Sequence, residues 1–201
     1  MQLYGFPLSG NSRKVLMTVE ETGLDYEFVT VDLMSGAQRE ADYLSLNPNG
    51  RVPTLVDGDL VLWESSAIML YLAEQAPRAK LIPAGARQRA RMHQWLIWQP
   101  TTFNPPLQTL NAQLRGPQEQ RDETALASAR HAIMTNLDIL SNGLGKQTWL
   151  ADTFSLADIV MTPHLHALVG LEFSIPANLE VYLSRLRDRP SWRDTLARAQ
   201  S

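Results

Sequence analysis

The sequence predicts an α/β unit with a small sheet over residues 1–76, a linker over 77–84 and an all-helical unit over 85–201. Three observations carry this prediction. In the first part, short β-rich runs alternate with helical periodicity in the order βαβαββα. Within it, Asp57-Gly58 joins two apolar runs of "VPTLVDGDLVLWE", a strong hairpin signal. Beyond the linker no strand pattern appears, only helical segments separated by proline and glycine.

"MQLYG" is the first expected strand. Val15, Leu16, Val19 and Leu24 then recur at helical spacing, and Gly23 supplies a C-cap before the strand "DYEFVTVDL". A weaker helix over about 38–46 follows the Ser35-Gly36 turn, and a helix from Ser65 to about Gln75 follows the hairpin. The linker opens "PRAKLIPAG", where prolines and a glycine stop regular structure. Helices are then expected at about 84–98, 105–114, 119–142, 155–170, 177–188 and 190–199. Breaks are expected at Pro100, Pro105-Pro106, Gly116-Pro117, Gly143, Gly145, Pro176 and Pro190. Ser155 and Asp158 have capping-box spacing, which assigns them to stability rather than chemistry.

The composition narrows the function. A chain of 201 residues with 44% hydrophobic and 19% charged residues is that of an ordinary globular protein. A net charge of −3 favours neither nucleic acid nor an anionic membrane. No apolar run approaches the ~20 residues of a membrane span, and no signal-peptide pattern opens the chain, so a cytoplasmic protein is expected. There are no cysteines, which excludes a mechanism through the protein's own thiol. The four histidines, His93, His131, His164 and His166, have no metal-ligand spacing, and no metal is expected.

Several positions could hold a ligand. A cis bond at Val52-Pro53 would turn the Val52 backbone outward to pair with an extended peptide-like molecule. Ser65 opens a helix, where free N–H groups and the helix dipole favour a carboxylate, while Glu64 beside it attracts an ammonium. In "GFPLSGNSRKV", Ser9, Asn11 and Ser12 stand at a strand-to-helix junction, each able to donate a hydrogen bond or cap the helix.

Together, "PLSGNSRKV", "NPNGRVPTLVDGDLVLWESSAIMLYL" and "TFSLADIVMTP" resemble the cytosolic glutathione transferase family, of the bacterial-type serine-loop class with theta-, phi- and nu-like members. The resemblance spans essentially the whole chain. It implies a thioredoxin-like N-terminal domain, an all-α C-terminal domain, a homodimer, and glutathione as co-substrate. It implies that Val52, beside cis Pro53, pairs with the cysteinyl unit and that Glu64 and Ser65 hold the γ-glutamyl end. Gln38 and Arg39 would ground the glycine carboxylate, with Arg51 beside the backbone clamp. Trp95, Trp98 and Phe103 lie in the region that lines the pocket for a hydrophobic electrophile in the family, and core packing is their other reading.

Such a reaction needs glutathione as a thiolate. Lowering a thiol pKa from ~8.5 by about two units takes ~2.7 kcal/mol. One hydrogen bond to a charged acceptor supplies ~1.5–3 kcal/mol, and a helix N-terminus adds ~0.3–1 kcal/mol. One donor plus the helix that begins near Asn11 is therefore enough. Ser9, which matches the family's serine, is placed first for this role, Asn11 second, and Ser12 third with a capping role. The expected activity is conjugation of glutathione to hydrophobic electrophiles. The alternatives are a glutathione-dependent peroxidase or disulfide reductase on the same scaffold, and a non-catalytic binding or assembly module.

Overall fold

The structure, a computed structural model, describes residues 1–198. The first half runs β1 (Gln2–Gly5), α1 (Gly10–Thr22), β2 (Glu27–Thr30), α2 (Ala41–Leu46), β3 (Thr54–Asp57), β4 (Leu60–Trp63) and α3 (Ser65–Gln75). The second runs α4 (Ala86–Trp98), α5 (Asn104–Arg115), α6 (Glu123–Leu144), α7 (Leu156–His166), α8 (Ala177–Arg187) and α9 (Pro190–Ala197). The contacts divide the chain into two units, one of Met1–Ile82 with the stretch from Leu186 onward, the other Pro83–Arg185.

In the first unit the strand order is β2-β1-β3-β4. β2 pairs parallel to β1, whereas β3 pairs antiparallel to both β1 and β4. This is the thioredoxin-like arrangement that the resemblance implied. The hairpin loop is Gly58-Asp59, since Asp57 pairs with Leu60, and Gly58 takes the positive φ of 61° that a two-residue loop needs. Helices α1 and α3 pack together, burying Val15, Leu16, Val19, Ile68, Met69 and Leu72. Gly5 ends β1 because a Cβ there would lie 2.9 Å from the Phe28 ring and 3.1 Å from Ser12 Oγ.

α9 docks on α1 in this unit, a placement that the sequence reading, which put residues 85–201 together, did not anticipate. Arg189 clamps Glu21 with two bonds of 2.6 and 2.7 Å, and the Ser191 hydroxyl donates to the same carboxylate. Arg198 pairs with Glu20 at 3.1 Å and lies over the Tyr26 ring. No apolar periodicity reports such an ion pair between residues 168 positions apart. The helix expected at 190–199 is described to Ala197, and residue 199 lies outside the described residues.

Within the second unit, the breaks expected at Pro100 and Pro105-Pro106 are absent. Helix continues from α4 through a π turn at Gln99–Phe103 into α5. The wider turn brings Asn104 N–H to the Gln99 carbonyl, and the prolines at 105 and 106 fall in the first turn of α5, where a missing N–H is tolerated. Pro106 would have bonded the Thr102 carbonyl, which instead accepts from the Asn136 side-chain amide of α6 at 3.1 Å. Gly143 of α6 meets Trp95 so closely that a Cβ would lie 2.4 Å from the indole.

Ser155 caps α7 as expected. Its hydroxyl accepts from Ala157 N–H at 3.3 Å, and the Asp158 carboxylate accepts from Ser155 N–H at 2.9 Å. Asp158 also accepts from Leu150 N–H at 3.0 Å and the Tyr182 hydroxyl at 2.8 Å. Burial pushes this carboxyl up to about 6, with those donors pulling it down.

Two stability outcomes are expected in urea titrations. Ser155→Ala should cost about 0.5–2 kcal/mol as a lost cap; an unchanged midpoint removes that role. Asn136→Ala should cost about 1–3 kcal/mol, because the Thr102 carbonyl is then left without its donor; a smaller loss would mean that water reaches that carbonyl.

Candidate functional site

One cleft in the first unit gathers residues from four segments: Asn11 of α1, the loop residues Asn47, Asn49, Arg51, Val52 and Pro53, Trp63 at the end of β4, and Glu64 with Ser65 at the start of α3. Its volume is about 440 Å³ including the part open to solvent, within the ~300–1,000 Å³ usual for small-molecule sites.

The loop is held from below. Asn47, only 2% exposed, donates through its amide to the Arg51 carbonyl at 2.7 Å and to Thr54 Oγ1 at 3.1 Å. The Tyr43 hydroxyl donates to the same Arg51 carbonyl at 2.6 Å and lies 2.9 Å from Thr54 Oγ1. Asn47 Oδ1 accepts from the Asn49 backbone and side chain at 3.1 and 3.0 Å. The next residues, Val52 and Pro53, line the cleft and are joined by a cis bond. Among the described residues, no partner is seen for the Val52 backbone N–H or C=O.

Glu64 has φ 73° and ψ 107°, a left-handed conformation rare for a residue with a side chain. It precedes α3 without any side-chain capping bond, so its carboxylate is not committed to the helix end. Ser65 follows as the first helical residue, 8% exposed, and lines the cleft at a helix N-terminus, where a carboxylate is favoured. An acid next to an anion-binding helix terminus suits a zwitterionic amino-acid head group.

At the β1–α1 junction the helix cap falls to Ser9 and not, as expected, to Ser12. Ser9 is the N-cap, its hydroxyl accepting from Ser12 N–H at 3.4 Å. Ser12 is fully buried, and its hydroxyl accepts from Phe6 N–H at 3.1 Å. The sequence reading gave the cap to Ser12. The tight approach at Gly5 instead turns that hydroxyl inward, against the strand end. Ser9, half-exposed, uses its oxygen as an acceptor and keeps its own O–H to donate. Asn11 lies in the cleft lining.

The other expected site residues divide. Arg51, Val52, Pro53, Glu64 and Ser65 share the cleft. Gln38 and Arg39 lie on a 3-10 turn, Ala37–Arg39, outside the cleft lining. The Gln38 carbonyl does approach the same loop, lying 3.2 Å from the Cβ position of Gly50. In the second unit, Trp95 and Phe103 are 5% and 1% exposed and serve its core. Trp98 is half-exposed, with its ring 5.2 Å from Trp95 and 5.5 Å from Phe103. Sequence reasoning missed Asn47, Asn49 and Trp63. "NPNG" carries the signal for the first two, because asparagine bonds its own backbone two residues on.

Among the described residues no cluster of histidine, cysteine or carboxylate side chains could hold a metal ion, and no helix is long and apolar enough to cross a membrane.

Glu64→Gly should be more stable than Glu64→Ala by about 1 kcal/mol, since both lose the carboxylate but only glycine escapes a ~1–3 kcal/mol backbone conformation, which exceeds its ~0.5–1 kcal/mol entropy cost. Thermal melting checks it, and a lower midpoint for the glycine variant would place no strain at this residue.

Comparison with known proteins agrees with this geometry. Residues 1–74 match the family model of the glutathione S-transferase N-terminal domain, and residues 103–190 that of its C-terminal domain. The chain is 36% identical over 197 residues to glutathione S-transferase GstB of Escherichia coli K12, covering 95% of each chain. It is 38% identical over 172 residues to glutathione S-transferase F10 of Arabidopsis thaliana, covering 82% of this chain and 79% of that one. Among solved structures, a theta class glutathione S-transferase of Xanthomonas axonopodis pv. citri with glutathione bound superposes with a TM-score of 0.87. It is 33% identical, covering 97% of this chain and 96% of that one.

Proposed function

The chain belongs to the glutathione S-transferase family, and from that premise we propose how its cleft holds and activates glutathione for conjugation to hydrophobic electrophiles. The observation that carries the reading is the unpartnered Val52 backbone beside cis Pro53, in one cleft with Glu64 and Ser65. A peptide-like ligand pairs its main chain with Val52, as an added strand does. Its γ-glutamyl ammonium meets Glu64, and the α-carboxylate takes the Ser65 hydroxyl and the N-terminus of α3. Arg51 adds a positive charge at the rim of the cleft. Gln38 and Arg39 are proposed for the glycine carboxylate, supported by the approach of their turn to Gly50.

This arrangement leaves the sulfur to the β1–α1 junction. Ser9 is the proposed catalytic residue, because its O–H remains available while its oxygen caps α1. As the thiolate forms, the Ser9 proton points to sulfur and the α1 N-terminus adds its dipole. No base need hold the thiol proton, which leaves to solvent. The thiolate then attacks the electrophilic carbon, forming the C–S bond as the leaving group departs with the bonding pair. Asn11, in the cleft lining, is the rival donor. Ser12 has its hydroxyl oxygen engaged and no exposed surface, which supports leaving it out of the chemistry. Trp98 is the member of the aromatic trio whose exposure suits a contact with the electrophile.

A homodimer in the cytoplasm completes the reading. Its support is the exposed apolar set Leu60, Val61 and Trp63 on edge strand β4, the kind of edge that a second copy covers.

Retention on immobilised glutathione and turnover of a model aryl halide test the function, and failure to bind glutathione would favour an assembly module instead. For the donor, the ultraviolet absorbance of the bound thiolate is titrated with pH. Ser9→Ala should raise the bound thiol's pKa by about 1–2 units, from a lost bond of ~1.5–3 kcal/mol at ~1.36 kcal/mol per unit. A rise in Asn11→Ala alone would transfer the role to Asn11.

A further inference from the structure

A second cavity lies in the first unit, apart from the cleft. Its volume is about 630 Å³ including the part open to solvent, again within the ~300–1,000 Å³ usual for small-molecule sites. Tyr4 and Val29 line it from the sheet, and Tyr43 lines it from α2. Tyr4 and Val29 are register partners on β1 and β2, and Thr54 is the partner of Tyr4 on β3, so the three share one face of the sheet. Tyr43 meets that face, its hydroxyl 2.9 Å from Thr54 Oγ1 and its ring centroid 6.3 Å from that of Tyr4.

Both phenol groups are tied elsewhere. The Tyr4 hydroxyl donates to Gln2 Oε1 at 3.3 Å, and the Tyr43 hydroxyl donates to the Arg51 carbonyl at 2.6 Å. Ring carbon is what remains to line the cavity, and aromatic carbon open to water favours an apolar occupant. Charge enters at the start of α2. Glu40 is the N-cap of that helix but makes no side-chain capping bond, and Asp42 stands in its first turn. Both line the cavity and are exposed. Among the described residues, neither carboxylate has an ion pair or a side-chain hydrogen bond. No lining residue is basic.

We propose that this cavity binds an aromatic amine, whose ring packs on Tyr4, Val29 and Tyr43 while its ammonium meets Glu40 and Asp42. Charge complementarity selects this occupant. Two unpaired carboxylates repel an acid and add nothing for a neutral ring. The helix end opposes them with about half a positive charge, which offsets only part of two full negative ones. The cavity shares no lining residue with the cleft, so the proposal does not depend on what the cleft binds. It lies beside β2, whereas the edge given to a second copy is β4, at the other end of the sheet.

The test measures binding of 1-naphthylmethylamine by calorimetry at neutral pH, against 1-naphthylmethanol and 1-naphthoate. The amine should bind best, with the alcohol roughly three- to tenfold weaker for two partly exposed charge pairs, and the acid weaker still. Added salt should weaken the amine and spare the alcohol. Glu40→Gln combined with Asp42→Asn should bring the amine down to the alcohol's affinity and leave the alcohol unchanged. Val29→Trp, which fills the cavity with a side chain that strands favour, should abolish binding of both. Equal affinity for the three probes would overturn the proposal, as would an amine indifferent to loss of the two carboxylates. Loss of amine binding in Glu64→Gln would place the amine in the cleft and overturn it too. So would a wild-type protein that binds no amine.

Discussion

The Arg51 carbonyl is the point on which the ligand-binding half turns. It accepts from the Tyr43 hydroxyl and the Asn47 amide, two short bonds from side chains otherwise buried. Both donors also reach Thr54, the first residue of β3. One polar knot thereby ties α2 to the start of the central antiparallel pairing and sets the direction in which the chain leaves Arg51. The Val52 backbone is left unpaired between the bonded Arg51 carbonyl and the bonded Thr54 hydroxyl. A mobile loop here would have to be ordered on binding, at a cost of ~1–2 kcal/mol for each residue fixed. The knot removes that cost before a ligand arrives.

The same logic of buried polar groups, fully bonded, organises the helical unit. Asp158 gathers donors from Ser155, Leu150 and Tyr182, joining the start of α7 to the loop before it and to α8. Asn136 supplies the donor that Pro106 cannot. In each case a group costly to bury alone becomes a fixed contact between segments distant in sequence.

Much of this was legible residue by residue. The hairpin at Asp57-Gly58, the Gly23 C-cap and the Ser155 capping box are local signals, decided within four residues, and the structure contains each of them. Misread features share a different cause. Three prolines spelled a break between α4 and α5, yet a π turn and an asparagine from another helix supply the missing bonds. Ser9 and Ser12 look equivalent in the chain, and only the close packing of Gly5 against Phe28 and Ser12 decides which one turns inward. Trp95 and Phe103 were equally suited to pocket and core until burial chose the core.

The sequence by itself therefore determined the fold class, the family and most of the cleft-lining residues, because periodicity, turn chemistry and motif spacing act over short stretches of chain. Tertiary structure alone decided which serine caps α1, where the last helix docks, and that Lys14 is buried. Those outcomes depend on burial and on partners up to 178 residues apart. Desolvation and long-range pairing arise from the packed chain, and no local pattern encodes them.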